Sequence, residues 1–277
     1  MYKNILLLII VSFLFTACSS KSYSLEQRVK IMQKELKKNK NIQKVIYKTD
    51  SFDIFSLEYK TNKCNNLDVY IEGDGLSWIR TDKISSNPTP INPLAMKLFL
   101  KEKNKCSIYL ARPCQYIFNN KCKKKYWTSH RFSSEIIKAY NEVLNKIAKN
   151  KSIEFTLIGY SGGATIASLV AIKRDDIKLL ISVAGNLDTD FWTYTNSYTS
   201  LYGSLNPANY TKKLEHISQV HLIGKDDNIV SKEVFFSYYN KFKNKKNIDF
   251  MLLDGFTHSK KWLDNWNKIL KNIKKNR

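Results

Sequence analysis

The chain has 277 residues, of which 43% are apolar and 25% are charged. This composition supplies a large hydrophobic core, so it excludes an intrinsically disordered chain, and it is too rich in charge for a polytopic membrane protein. The formal net charge is +22. Such a charge fits an anionic membrane surface, although a solvated, lysine-rich surface is the interpretation that we favour.

The N-terminus has the pattern of an export signal. A basic start is followed by an apolar run over residues 5–15, which is shorter than the roughly 20 residues that cross a bilayer. Cys18 follows Thr16-Ala17 directly, and this arrangement resembles the lipobox of bacterial lipoproteins. The resemblance implies a cleaved signal peptide at 1–17, acylation of Cys18, and a membrane anchor on the periplasmic face or at the outer membrane. An ordinary signal peptide with an incidental cysteine is the alternative.

Export has consequences for the partners and for the other cysteines. An exported chain does not meet the chromosome, so we expect no nucleic-acid partner. Without Cys18 an even number of cysteines remains, which predicts two disulfides with three possible pairings. These cysteines are Cys64, Cys106, Cys114 and Cys122. No CxxC spacing occurs, so we expect no metal site, and nothing in the sequence indicates a cofactor.

Residues 18–43 are predicted to form a tether and a helix, and 44–277 a single domain. The helix is indicated by apolar residues at helical spacing: Leu25, Val29, Met32 and Leu36. The domain begins with two predicted strands within 44–59. Further strands are predicted at 68–72 and 106–111, and helices at 94–101 and 133–149.

In the second half, strands continue to alternate with helices. The predicted strands are 153–158, 177–184, 219–223 and 248–253, and the predicted helices are 164–172, 231–241 and 262–273. This order predicts an α/β fold with a mostly parallel central sheet covered by helices on both faces. Residues 186–218 are aromatic-rich and irregular, and we interpret them as a small cap-like insertion with an apolar wall for the site; ordinary packing is the alternative.

A G-x-S-x-G motif, Gly159-Tyr160-Ser161-Gly162-Gly163, lies between a predicted strand and a predicted helix. It resembles the nucleophile elbow of the α/β-hydrolases, where a strained turn exposes the serine and only small neighbours fit. The resemblance implies an α/β-hydrolase fold and makes Ser161 the predicted nucleophile. A glycine-rich turn whose serine only caps the helix is the alternative.

The resemblance also implies the chain order serine, acid, histidine. Of the four histidines, His258 alone follows both the serine and the favoured acid, just beyond the last predicted strand. The turn at 224–230 resembles the family's G-x-x-D-x-x-V pattern, which makes Asp227 the predicted acid. The alternative acids are Asp226, Asp188 and Asp190.

Two backbone donors of an oxyanion hole are expected beside the serine. By elbow geometry, the Gly162 N–H is one of them. The other is expected in the loop Glu72-Gly73-Asp74-Gly75, where family members often have His-Gly. Position favours the Asp74 N–H, with Gly75 as the second choice. A carboxylate here would repel an oxyanion unless it points away; it could instead bind a cation or brace the loop.

Further segments of the chain are similar to a group of exported, poorly characterised bacterial α/β-hydrolases. These are 72–78, 111–116, 185–188 and 204–207, so the resemblance covers roughly 44–275. In such a fold Cys64 and Cys106 precede neighbouring strands, whereas Cys114 and Cys122 follow the second of them. A strand spans about 17–20 Å, but bonded cysteines need Cα atoms within about 7 Å. We therefore predict the pairs Cys64–Cys106 and Cys114–Cys122.

The sequence therefore predicts a membrane-anchored serine hydrolase, esterase- or lipase-like, that cleaves carboxylic esters or thioesters through an acyl-enzyme. The expected substrate is a small-molecule or lipid ester. The alternative is a non-catalytic surface lipoprotein that uses the same scaffold for binding or adhesion, against which the ordered serine, aspartate and histidine argue.

Overall fold

The computed structural model of the chain describes residues 24–60, 64–102, 104–149 and 152–275. The predicted signal peptide at 1–17 and the predicted lipidation site Cys18 lie outside these residues. Within the described ranges, no helix is long and apolar enough to cross a bilayer.

The described residues form ten strands and eight α-helices that alternate along most of the chain. The strands are β1 (Ile42–Lys48), β2 (Asp53–Tyr59), β3 (Asn66–Ile71), β4 (Trp78–Arg80), β5 (Lys83–Ile84), β6 (Ser107–Leu110), β7 (Glu154–Tyr160), β8 (Ile177–Val183), β9 (Gln219–Gly224) and β10 (Ile248–Leu253). The helices are α1 (Leu25–Lys37), α2 (Leu94–Lys101), α3 (Ser134–Ala148), α4 (Gly162–Ala171), α5 (Thr189–Thr195), α6 (Thr211–Leu214), α7 (Lys232–Asn240) and α8 (Trp262–Lys275).

Eight of the strands form one sheet in the order β1-β2-β6-β3-β7-β8-β9-β10. Strand β2 pairs antiparallel with β1 and β6, and all other neighbours are parallel. The carboxyl ends of the parallel strands therefore meet at one edge, called here the carboxyl edge. Loops after these strands bring their side chains together there, where open parallel sheets bind ligands.

The core consists of two apolar layers, one on each face of the sheet. In β3, Val69 packs on the face covered by α3, α4 and α7, and its neighbour Tyr70 packs on the face covered by α1, α2 and α8. Leu157 and Ile158 of β7 divide in the same way, as side chains of successive strand residues must. Helix α4 is buried along its whole length, so the turn before it is fixed in the middle of the protein.

Helix α1 begins at a capping box, in which the Ser24 hydroxyl accepts from Gln27 N at 3.2 Å and the Gln27 side chain accepts from Ser24 N at 2.8 Å. Met32 packs into the core. Arg28 is buried, and its guanidinium donates to backbone carbonyls in the segment 87–89. The helix is thus packed against the sheet, while the division between residues 43 and 44 stays a prediction.

Two regions differ from the sequence expectation. Strands β4 and β5 form a separate short hairpin over 78–84. This hairpin was not predicted, because its residues are almost all exposed and show no alternation of apolar and polar residues. The segment 186–218 is not simply irregular, since it contains α5 and α6. Asp188 caps α5 by accepting from Phe191 N at 3.3 Å, and helices this short carry too little periodicity to be read from sequence.

Both disulfides have the predicted pairing. Cys64–Cys106 joins the residues that precede β3 and β6, and Cys114–Cys122 lies beyond β6 at the carboxyl edge. Structural disulfides form and persist in oxidising compartments. The pair of bonds therefore fits an extracellular or periplasmic protein.

Candidate active site

Ser161 lies in the turn that joins β7 to α4. Its backbone has φ 53° and ψ −122°, a region that costs a non-glycine residue about 1–3 kcal/mol and is found mainly where surrounding structure enforces it. The enforcement comes from packing, because a Cβ on Gly163 would lie 2.3 Å from the carbonyl oxygen of Ile71. The Ser161 N–H also donates to Val183 O at 2.9 Å. The turn therefore presents the serine at the carboxyl edge with little freedom.

A continuous hydrogen-bonded row leads from this serine to a buried carboxylate. Ser161 Oγ is 3.0 Å from His258 Nε2, and His258 Nδ1 is 2.8 Å from Asp227 Oδ2. The histidine comes from the loop between β10 and α8, and the aspartate from the loop after β9. Strand order thus places three residues that are far apart in sequence side by side.

The turn after β9 holds Asp227 in a fixed orientation. Its Oδ1 accepts from the backbone N–H groups of Ile229 and Val230, both at 2.9 Å. These bonds leave Oδ2 for His258, and the Asp227 side chain has no solvent exposure. A carboxylate held in this way can fix the tautomer and ring orientation of its histidine.

The other candidate acids lie elsewhere. Asp188 is buried, and its carboxylate accepts from Lys241 Nζ at 2.8 Å and Ser237 Oγ at 2.7 Å. Burial alone would raise the pKa of Asp188, but the hydrogen bonds, that of Lys241 first, outweigh burial and lower the pKa. Asp190 accepts from Asn206 at 2.9 Å, and Asp226 is exposed. Among the four candidates, only Asp227 is hydrogen-bonded to His258.

The remaining histidines are also separated from Ser161. His221 is fully buried in β9, where it is hydrogen-bonded to Ser182 Oγ at 2.7 Å, and burial lowers its pKa to about 3. His130 packs its ring against Tyr202 with centroids 5.2 Å apart. His216 is exposed before β9, and among the described histidines only His258 is hydrogen-bonded to Ser161.

The loop after β3 lies against the start of α4. A Cβ on Gly162 would be 2.3 Å from Asp74 Oδ1, so the two residues are in direct contact. In the part of the chain that the structure describes, the backbone N–H groups of Gly162, Asp74 and Gly75 donate no hydrogen bond to protein atoms. Gly73 N–H, by contrast, donates to Glu72 at 3.0 Å. Three backbone donors are therefore available beside Ser161.

Two buried arginines clamp the Asp74 carboxylate. Arg112 Nη1 lies 2.7 Å from Oδ1 and Arg131 Nη1 2.8 Å from Oδ2. Burial alone would raise the pKa of Asp74, but the guanidinium groups of Arg131 and Arg112 outweigh burial and lower the pKa. Arg112 also donates to the carbonyl of Arg131, and Gln115 Nε2 donates to Gly73 O at 3.0 Å. The carboxylate therefore braces the loop, and the cluster retains one excess positive charge.

Glu72 anchors the same loop from below. Its fully buried carboxylate accepts from the N–H groups of Ala95 and Met96 at the start of α2, each at 3.3 Å, and from Tyr109 Oη at 3.2 Å. Burial raises the pKa of Glu72 to about 7 despite these hydrogen bonds. The N-terminus of α2 offers the partial positive charge that a buried acid needs.

A cavity of about 400 Å³ opens above Ser161 and His258. Its walls are mostly apolar: Leu76, Pro90, Ile91, Trp192, Ile229 and Val230. Arg131 and Asn186 add polar groups, and Asn186 Oδ1 is buried with no hydrogen-bond partner among the described residues. An apolar cavity with a few polar groups at one end is typical of small-molecule sites.

The sequence did not indicate the clamp or most of the cavity wall. Arg112 lies two residues after β6 at the carboxyl edge, within the segment 111–116 singled out in the sequence, but no pairing with Asp74 was predicted. Arg131 lies outside every motif, and only the fold brings it to Asp74. Trp192 belongs to the predicted cap-like insertion, and its indole Nε1 donates to Ile229 O at 2.7 Å, which joins that insertion to the cavity wall.

Comparison with known proteins gives likeness in structure alone. No protein-family model and no curated protein sequence matches the chain. Esterase Pf2001 from Pyrococcus furiosus superposes with a TM-score of 0.59 at 14% identity, covering 84% of this chain and 90% of the esterase. Est1E from Butyrivibrio proteoclasticus, in its structure with ferulic acid bound, gives 0.61 at 13% identity, covering 84% and 98%. A putative alpha/beta hydrolase from Agrobacterium tumefaciens gives 0.56 at 14% identity, covering 85% and 98%. The predicted fold is confirmed: the chain has the α/β-hydrolase fold.

Proposed function

We propose that the protein is a serine hydrolase that cleaves carboxylic esters or thioesters through an acyl-enzyme. The observation that carries the proposal is the row Ser161–His258–Asp227 at hydrogen-bond distances, beside unused backbone donors. A nucleophile, a base and an orienting acid in this arrangement are what acyl transfer to a hydroxyl requires.

In the first step His258 Nε2 takes the proton of Ser161 Oγ as the hydroxyl attacks the ester carbonyl carbon. The carbonyl oxygen becomes an oxyanion, for which the Gly162 N–H and the Asp74 N–H are the assigned donors. Gly75 N–H is the second choice for the latter. The protonated histidine then donates its proton to the leaving alcohol or thiol, and the acyl group remains on the serine.

The second step repeats the first with water as the nucleophile. His258 removes a proton from the water, the water attacks the acyl carbon, and Ser161 leaves with the returned proton. Asp227 accepts the hydrogen bond from His258 Nδ1 and stabilises the charged imidazole. Beside the donors, the excess positive charge of the Asp74, Arg112 and Arg131 cluster favours the transient oxyanion.

The cavity indicates the class of substrate. A volume of about 400 Å³ with walls formed by Leu76, Ile91 and Trp192 suits an apolar acyl or aromatic group next to the ester. The esterase-like structural neighbours also favour a small-molecule ester as substrate.

Cys18 is proposed to carry the lipid anchor that holds the enzyme at a bacterial membrane. The support is the lipobox-like Thr16-Ala17-Cys18 and the two disulfides of the exported domain. Only the N-terminal segment is needed for the anchor, so activity on soluble esters is independent of this part of the proposal.

A fluorophosphonate probe tests the enzyme directly, because it labels a serine only when a base activates it. We expect covalent labelling of the wild type, and its loss in Ser161→Ala together with hydrolysis of short-chain nitrophenyl esters. Ser86→Ala removes an exposed serine and is the matched control that keeps both signals. Folded wild-type protein that neither reacts nor hydrolyses any such ester would contradict the proposal and favour a binding module.

A further inference from the structure

An exposed apolar surface interleaved with basic residues borders the cavity mouth. Its apolar residues are exposed to 38% at Trp78, 49% at Ile79 and 51% at Phe118. Its basic residues are Arg80, Lys83, Lys121, Lys123, Lys124 and Lys125, all exposed. These nine residues are called the docking face. Most large apolar side chains of the described residues are buried, and an exposed apolar cluster rimmed by charge is typical of an interaction site.

Contacts in the structure join the two parts of this face. Strands β4 and β5 carry Trp78 and Ile79 on a projecting hairpin whose base is closed by the Ser85 N to Ser77 O hydrogen bond of 3.0 Å. Ser85 O accepts from Trp127 Nε1 at 3.0 Å, and the Trp127 ring packs against Phe118 at 6.0 Å. The hairpin and the loop with Phe118 therefore form one surface.

The same surface adjoins the candidate active site. Leu76 and Ser77 line the cavity immediately before Trp78 in the chain. On the other side of the mouth Ile229 lines the cavity and is 46% exposed. A partner seated on the docking face would therefore meet the entrance of the cavity.

The charge of this region selects the chemistry of the partner. The segments 75–92 and 113–127 together contain six lysine and arginine residues but one acid, Asp82, which is paired with Arg80 at 3.2 Å. Aromatic side chains favour the headgroup region of a bilayer, and lysines and arginines near an anionic bilayer surface are attracted to it. An apolar protein partner would not require this excess of positive charge.

The position of the N-terminus agrees with a membrane partner. Helix α1 is joined through Arg28 to the carbonyls of segment 87–89, and the Thr89 hydroxyl accepts from Tyr116 N at 2.8 Å, close to Phe118. Six residues lead from Cys18 to Ser24, a span of at most about 20 Å. A lipid on Cys18 would thus hold this side of the molecule near the bilayer.

We propose that the docking face binds an anionic lipid bilayer with the cavity mouth turned toward it, so that ester substrates reach Ser161 from the bilayer. Binding to the bilayer requires only the residues of the docking face and no hydrolase activity. The route of the substrate rests on the proposed hydrolase function, which makes bilayer-dissolved or lipid esters the substrate class.

Quenching of tryptophan fluorescence by brominated acyl chains tests the binding to the bilayer. The full chain with Ser161→Ala, purified from membranes, is reconstituted in brominated phosphatidylcholine vesicles with and without phosphatidylglycerol. Trp78 is the tryptophan on the face, Trp192 is half-buried in the cavity wall, and Trp127, Trp262 and Trp266 are buried. We expect quenching that increases with phosphatidylglycerol and falls in Trp78→Phe to the residual contribution of Trp192. Absence of quenching, or quenching that Trp78→Phe leaves unchanged, would overturn the proposal.

A charge-matched pair of variants tests the basic part of the face. Replacing Lys123, Lys124 and Lys125 by serine is expected to remove the increase with phosphatidylglycerol. Replacing Lys243, Lys245 and Lys246 by serine removes the same charge before β10, at the opposite edge of the sheet, and is expected to preserve the increase. An equal effect of both sets would mean that net charge alone acts, and would contradict a defined face.

The substrate route is tested in the chain that retains Ser161. Ile79→Ser with Phe118→Ser is expected to lose hydrolysis of an ester dissolved in vesicles and to keep hydrolysis of a short soluble ester. Equal loss on both substrates would contradict the route. If the parent protein hydrolyses neither ester, the hydrolase proposal fails, and the fluorescence experiment still decides whether the face binds the bilayer.

Discussion

The two sides of the candidate active site are built by different means. On the triad side, Ser161 and Asp227 are oriented by their own turns, through backbone strain and through hydrogen bonds from Ile229 and Val230. On the oxyanion side, the loop at 73–75 is held by side chains that are distant in sequence, above all Arg112 and Arg131. Local turns thus suffice to orient the side chains of Ser161 and Asp227. The charges around the loop at 73–75, by contrast, depend on contacts that only the whole fold brings together.

The strongest test of the triad side compares two buried aspartates, Asp227 and Asp188. Asp227→Asn should lower kcat by about 10⁴-fold, because an amide in this position favours the wrong tautomer of His258. Asp188→Asn should leave kcat near the wild-type value and lower the free energy of unfolding by about 1–3 kcal/mol, since it weakens bonds to Lys241 and Ser237. Ester hydrolysis and denaturant unfolding measure the two effects. A reversed pattern would transfer the role of acid to Asp188.

A smaller effect is expected on the oxyanion side. Arg112→Gln releases one arm of the Asp74 clamp, and a displacement of the donor by about 1 Å can cost up to about 10²-fold in rate. Arg174→Gln is the matched control, because Arg174 is paired with Asp176 at 2.5 Å at the opposite edge of the sheet. Both variants should unfold at a lower denaturant concentration, but only Arg112→Gln should lose kcat. An equal loss of kcat would show that general destabilisation is the cause.

The smallest effect on activity should come from the disulfides, which lie at opposite edges of the sheet. Cys114 and Cys122 are 8 residues apart and Cys64 and Cys106 are 42 apart, so serine pairs should lower stability by about 2.5 and 4 kcal/mol, respectively. Loss of the shorter bridge should also lower kcat modestly, because it braces the loop that carries Arg112 and Gln115. If the variant with serine at positions 64 and 106 lost kcat at a temperature where it is folded, the bridge at the far edge would also affect the site. That result would contradict the expectation that only the Cys114–Cys122 bridge affects kcat.

The contrast between the two sides also explains which parts of the fold and of the site could be predicted from the sequence. The motif around Ser161 and the turn around Asp227 are each formed by residues close together in the sequence. Such turns require small residues at fixed spacing for steric reasons, and this spacing can be recognised in the sequence. The alternation of strands and helices sufficed for the sheet and for the pairing of the cysteines. From this order, His258 was the single histidine in a suitable position.

The pairing of Asp74 with two arginines was not predicted, because no local sequence pattern indicates an ion pair between residues far apart in the chain. Arg131 is one basic residue among 46, and its partner Asp74 is 57 residues away in the chain. The exposed hairpin of β4 and β5 was missed for a related reason, since without a buried face it has no apolar alternation. Helix α5 begins at its Asp188 cap, and both α5 and α6 are too short to show helical periodicity. Long-range polar contacts and short exposed elements are therefore the limits of such reasoning.

The contact between Gly162 and Asp74 has an evolutionary consequence. A methyl group at position 162 would occupy the space of the Asp74 carboxylate, so alanine is not accommodated at 162 while this carboxylate keeps its position. A lineage that places alanine after Ser161 must first shorten or reorient residue 74, and it thereby loses the partner of two buried arginines. Substitutions at positions 74, 112, 131 and 162 are therefore expected to occur together. Proteins with the same loop arrangement should keep or lose these four residues as a set.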